Sequence, residues 1–212
     1  MIRRVYEQCL KANALTNLIV ATDDDRIYNE VLSFRGQVMM TSPDHQNGTE
    51  RCAEVVSKLE NKPDVVINIQ GDEPFIYPEQ IDLLASLFRH IDCQIGTLIK
   101  ECNDKSLLQK PSIIKATVDQ KLQALYFSRS VIPYLRNEDL HPTYFKHIGI
   151  YGFRADVLTE LVRLKPSPLE LAESLEQLRW LENGYPIQTA ITSHESIAVD
   201  VPEDLERLTG LY

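Results

Sequence analysis

No apolar stretch in this sequence approaches the roughly 18 residues that a membrane-spanning helix needs. Nor does a basic segment followed by an apolar one open it. A membrane partner is excluded on these grounds and a cytoplasmic location is expected. Positive charge is also short. Lys and Arg number 22 against 31 Asp and Glu, for a net charge of -9, which argues against a nucleic-acid backbone as partner. It leaves room for a small anion held by a few local arginines. Cys9, Cys52, Cys93 and Cys102 form no C-x-x-C pair and have no histidine at zinc-finger spacing, so four reduced, mostly buried thiols are expected. Internal repeats, low-complexity tracts and Gly/Ser-rich linkers are absent as well. The 212 residues therefore read as one domain, long enough to bury a full core.

What is present is an alternation of apolar runs and helical periods, which points to α/β architecture. Helical spacing runs over 1–13 through Ile2, Val5, Tyr6, Cys9 and Leu10, over 25–34 with Gly36 as a stop, and over 49–59. It returns at 78–90, 155–164 and 169–182, the last closed by Gly184. Strands are predicted at 18–21, 37–40, 65–69, 96–99, 113–118, 124–128, 147–153, 186–192 and 196–199, and a last helix at 202–208. The segment 132–143 reads as a surface loop.

Several segments carry chemistry, and each has a plainer reading beside it. Gln70-Gly71-Asp72-Glu73-Pro74 follows the strongest buried strand. Open α/β sheets bind ligands beyond the carboxyl ends of their strands, so Asp72 could hold a hard cation there or simply form a Gly-Asp turn. Asp200 likewise ends an apolar run and could bind metal or, as Asp-x-x-Glu, cap the next helix. Within the loop 45–51, Gly48 lets backbone approach a ligand and Thr49 can cap the following helix. Arg51 lies in its first turn, unfavourable for a cation unless an anion is near, although a solvated arginine is the alternative. Arg129, just past the apolar stretch Tyr126-Phe127, has the paired donors that clamp a carboxylate or phosphate. Strand alternation puts His147, Gly149 and Tyr151 on one face, with Gly149 leaving room for a ligand; a satisfied core histidine and tyrosine are the other reading. Glu173, Glu176 and Gln177 share one face of the 169–182 helix, either as ligands or merely solvated.

Taken in order, these segments resemble the 3-deoxy-manno-octulosonate cytidylyltransferases (CMP-Kdo synthetases). The likeness runs from about Met1 to Leu208. It is carried by Ser42 to Arg51, Gln70 to Pro74, Tyr126 to Arg129 with Ile132-Pro133, His147 to Tyr151, Pro166 to Glu170, Leu175 to Arg179 and Val199-Asp200 with Pro202 to Glu206. The resemblance implies a single-domain nucleotide-sugar transferase (Rossmann-like) fold, with a mixed, mostly parallel sheet flanked by helices. It implies a homodimer using CTP, Kdo and Mg2+ in lipopolysaccharide biosynthesis. Asp72 and Asp200 match the metal-binding, catalytic carboxylates. Gly48, Thr49, Arg51 and Gln70 match the nucleotide side, and Arg129, His147, Tyr151, Glu176 and Gln177 the sugar side.

Two departures stand out. Family members open with a strand and a glycine-, arginine- and lysine-bearing loop that cradles the triphosphate, whereas Met1 falls where that loop has ended. The chain as written is thus expected to expose two interior strand edges and to turn over CTP and Kdo poorly. Val201 replaces a threonine usual in the family. The alternatives are a truncated, impaired homologue or a related cytidylyltransferase for another sugar acid.

Overall fold

A computed structural model describes residues 1–195. The predicted strand at 196–199, the helix at 202–208 and Asp200 lie outside the described residues. Helix α1 (Ile2–Cys9) turns Val5 and Cys9 inward, four residues apart, and ends before Leu10, which is exposed instead of sharing the buried face. Strand β1 (Val20–Thr22) leads into α2 (Asp25–Ser33), capped by the Asp24 side chain on the amides of Arg26 and Ile27. The residue that turns the chain in the left-handed region after α2 is Arg35, φ 60°, not Gly36. Gly36 answers a steric demand, because a Cβ there would lie 2.6 Å from the Phe34 ring. Strand β2 (Val38–Met40), helix α3 (Gly48–Lys58), strand β3 (Val65–Asn68) and helix α4 (Pro78–Leu87) follow.

Next come β4 (Ile95–Glu101), the unexpected single turn α5 (Lys105–Leu108) capped by Asp104, β5 (Lys115–Val118), β6 (Ala124–Ser128) and β7 (Phe145–Arg154). Helix α6 (Ala155–Leu161) precedes the main correction to the sequence reading. The helix expected over 169–182 is two helices, α7 (Pro168–Glu173) and α8 (Glu176–Glu182), separated by Ser174 in the left-handed region at φ 51°. Strand β8 (Ile187–Ile191) follows Gly184, whose φ of 81° is the expected helix stop.

These elements sort into two compact units: Met1–Pro63 with Asn68–Asp82, and Asp64–Ile67 with Leu83–Ser193. In the first, β1 and β2 pair in parallel from Val20↔Val38 to Thr22↔Met40, with α2 against both strands and α3 against β1. Val5, Cys9, Val31, Val56, Ile76 and Ile81 are among its buried apolar residues. The second holds a mixed sheet of order β6-β5-β7-β4-β8, with β3 also paired to β7. There β4 runs parallel to β8 and antiparallel to β7, and β5 is antiparallel to both β6 and β7. Helix α6 lies against β7 and α8 against β6, over a core of Leu98, Ile99, Phe127, Phe153, Leu158 and Trp180. This is the mixed α/β architecture expected. All four cysteines are free, and burial pushes the Cys9 thiol up to about 12 and that of Cys93 to about 11, so neither is a nucleophile at neutral pH. No helix among the described residues is long and apolar enough to cross a membrane.

Candidate active site

In the first unit the carboxyl ends of β1 and β2 meet the start of α3. Helix α3 begins one residue earlier than predicted, and its cap is Asn47, whose side-chain oxygen accepts from the Glu50 amide at 2.9 Å. Thr49 is therefore a buried first-turn residue and not the cap. Gly48 leaves space for protein, not for an open approach: a Cβ would sit 2.9 Å from the Asn68 amide at the end of β3. That contact brings the helix amino terminus, with its orphan amides and positive dipole end, beside the segment that continues to Gln70 and Asp72. Arg51 is not solvated. It pairs with Asp23 at 3.3 Å, just past β1, and donates to the Thr41 hydroxyl just past β2. The loop before it is knitted by charge. Glu54 accepts from the Ser42 amide, His45 and Lys58, and the Lys58 hydrogen bond is the largest of the effects that hold its carboxyl down to about 2.

Gln70 is exposed and its carbonyl accepts from the Glu73 amide at 3.4 Å, closing a turn around Asp72. Asp72 is half-buried, and its carboxylate has no hydrogen-bond or ion-pair partner among the described residues. A hard oxygen donor left without a protein partner suits magnesium, which takes one or two carboxylates and keeps its remaining positions for water and phosphate. No cluster of three acidic, histidine or cysteine side chains fit for a metal occurs among the described residues.

In the second unit, His147 and Tyr151 do lie on one face of β7, but much closer than alternation predicts. Four residues of regular strand would separate them by roughly 13 Å, whereas their ring centroids are 5.2 Å apart. The cause is a bulge: Thr97 of β4 faces Tyr151 while Leu98 faces Ile148, so residues 149 and 150 are extra on β7. Thr97, fully buried, fills the fold of this bulge. Its hydroxyl donates to the Ile150 carbonyl at 2.7 Å and lies 2.9 Å from His147 Nε2. The imidazole stands edge-on to Phe127 at 5.1 Å, and burial pushes its pKa down to about 3 although the residue keeps some exposed surface. Gly149 is exposed, and a Cβ there would meet nothing within 4 Å. Tyr151 packs edge-on against Trp180 of α8 at 5.0 Å. Burial and then the negative charge of Glu176 raise its pKa well above the ordinary value. Its buried hydroxyl makes no hydrogen bond of good geometry among the described residues. Gln177, which follows Glu176 on α8, is buried.

Arg129 works on backbone. The break at Ser174 strips the carbonyls of Glu173 and Ser174 of helical partners, and Arg129 supplies them through Nε at 2.7 Å and Nη2 at 3.2 Å, while Nη1 reaches the Pro111 carbonyl at 3.0 Å. Glu173 returns the contact by accepting from the Arg129 amide at 2.9 Å and the Ser128 hydroxyl at 2.6 Å. It therefore does not share a helix face with Glu176 and Gln177. Buried Lys115 closes the network, donating to the carbonyls of Lys110, Ile113 and Arg129. Three of the five guanidinium N–H groups are thus engaged, and the arginine sets where α8 starts. Thr97, Lys115 and the two partners of Arg51, Asp23 and Thr41, escaped the sequence reading because each acts across strands or loops separated in the chain.

The α/β fold is shared with 4-diphosphocytidyl-2C-methyl-D-erythritol synthase from Anaerococcus prevotii, at a TM-score of 0.65 and 10% identity over 99% of this chain and 84% of that one. A model of the cytidylyltransferase family matches residues 1–197. Proteins named 3-deoxy-manno-octulosonate cytidylyltransferase are similar throughout: that of Cytophaga hutchinsonii is 51% identical over 99% of this chain and 86% of its own, and that of Parabacteroides distasonis 49% identical over 98% and 85%. A solved structure of CMP:2-keto-3-deoxy-manno-octonic acid synthetase complexed with CTP superposes at a TM-score of 0.94 with 40% identity, covering 99% of this chain and 86% of that one. The chain belongs to the 3-deoxy-manno-octulosonate cytidylyltransferase family of cytidylyltransferases.

Proposed function

We infer that the protein transfers CMP from CTP to Kdo, giving CMP-Kdo and pyrophosphate. The observation that carries this is likeness over nearly the whole chain to relatives so named, at 42–51% identity, with the CTP-bound synthetase as structural counterpart. An inactive homologue, or an enzyme for another sugar acid, is not favoured by that observation. In the reaction the anomeric hydroxyl of Kdo attacks the α-phosphorus and gives its proton to solvent, the bond from that phosphorus to the oxygen bridging to the β-phosphorus breaks, and pyrophosphate leaves with the electron pair. The α3 amino terminus with Gly48, Thr49 and Arg51, together with Gln70, would receive the nucleotide. Arg129, His147, Tyr151, Glu176 and Gln177 would form the sugar side, with Arg129 acting through the start of α8. Asp72, together with Asp200, would hold magnesium. Bound there, the ion would neutralise triphosphate charge and lower the need for a strong protein base.

The assembly proposed is a homodimer in the cytoplasm, supplying activated Kdo for lipopolysaccharide synthesis. The test is Kdo-dependent pyrophosphate release from CTP, with and without magnesium, against a panel including sialic acid. Release with Kdo alone among the sugars supports the reading. Release with another sugar acid, or none with any, overturns it. Sedimentation velocity tests the dimer.

A further inference from the structure

We infer that Thr97 is a positioning residue that sets the tautomer of His147, so that the imidazole offers Nδ1 as a hydrogen-bond acceptor to a hydroxyl of the sugar. The argument is one of proton counting. A threonine hydroxyl has one proton, and that of Thr97 goes to the Ile150 carbonyl at 2.7 Å, an atom that can only accept. The oxygen therefore faces His147 Nε2, 2.9 Å away, with a lone pair. Two lone pairs at that distance repel, so Nε2 carries the imidazole proton and Nδ1 is left bare.

Three further observations give this a use. Nδ1 has no partner among the described residues. The strand beside it is open, because Gly149 is exposed and a Cβ there would touch nothing. The ring stays uncharged, as burial against Phe127 and Tyr151 disfavours the imidazolium. A neutral acceptor recognises an O–H donor and gives a carboxylate nothing to pair with. His147 thus reads a hydroxyl, and the substrate's carboxylate is bound by other groups. The bulge is what makes this arrangement, since it folds β7 around Thr97 and lets one hydroxyl bond both Ile150 and His147.

The proposal rests on the sugar-side reading of His147, and its test separates the two. Long-range 1H–15N correlation spectra of the wild-type protein distinguish the tautomers without any substrate. The Nε2–H form is expected, and a proton on Nδ1 overturns the proposal. Thr97→Val keeps the shape but removes the acceptor. It should shift the tautomer and raise the KM for Kdo about ten-fold, the size of one lost neutral hydrogen bond, with the KM for CTP unchanged. Thr97→Ser should restore both the spectrum and the KM. A Thr97→Val protein that retains the wild-type tautomer, or one whose tautomer changes while its Kdo KM does not, overturns the assignment. If the wild-type enzyme releases no pyrophosphate with Kdo, the functional reading fails, while the spectra still decide the role of Thr97.

Discussion

Around Arg51, side chains are held by charge close to solvent: Arg51 on Asp23, Glu54 on Lys58 and His45, Asp24 over the first turn of α2. Around His147 they are held by neutral hydrogen bonds and ring edges in the interior, through Thr97, Phe127, Tyr151 and Trp180. The difference follows from what each region is proposed to bind. A triphosphate brings its own charge and needs a polar, hydrated surface on which a cation can sit. A neutral face of hydroxyls needs fixed donors and acceptors whose directions water cannot scramble. Exposed ion pairs contribute little to stability and leave their members free to exchange partners, whereas the buried set is rigid.

The comparison is broken most directly at Asp72. Because its carboxylate has no partner among the described residues, Asp72→Asn should leave thermal unfolding unchanged yet cut pyrophosphate release by about two orders of magnitude or more. A parallel loss of stability would make Asp72 structural. Arg129→Ala should do the opposite. It leaves the carbonyls of Glu173, Ser174 and Pro111 without donors, costing about 2 kcal/mol in urea unfolding. It should also raise the KM for Kdo more than that for CTP, and Arg129→Lys, lacking the planar fork, should rescue little.

Acid sharpens the contrast further. His147 has its folded pKa lowered from 6.5 to about 3. The unfolded chain therefore takes up a proton that the folded one refuses, and stability declines as pH falls from 6.5 toward 3. Glu54 has its folded pKa lowered from 4.5 to about 2, so its contribution is whole above 4.5 and disappears as pH falls through about 2. His147→Gln should flatten the upper part of a stability–pH curve and Glu54→Gln only the lower part. The smallest effect is at the α3 cap: Asn47→Ala should cost about 1 kcal/mol and Asn47→Asp much less.

Much of the frame was legible in the chain. A continuous β-branched run marked β3 and an apolar, aromatic one marked β6 nearly to the residue, and helical spacing with Asp or Pro at the start marked α2 and α4, because burial of one face repeats at short range. The helix over 169–182 was misread for a related reason. Its apolar spacing continues through Ser174, and nothing nearby in sequence announces that Arg129 and Glu173 stabilise a break there. Thr49 has a hydroxyl suited to capping, but the Asn47 side chain accepts from the Glu50 amide and so sets the helix start two residues earlier than a Thr49 cap would.

The family resemblance and the α/β class were determined by the sequence itself, since motif, spacing and hydrophobic period are properties of the chain. The distance between His147 and Tyr151, the proton position on His147 and the employment of Arg129 on backbone were decided by tertiary structure alone. Each depends on a partner dozens of residues away, brought near by strand pairing, and a hydrogen bond is set by ångströms that no local pattern encodes.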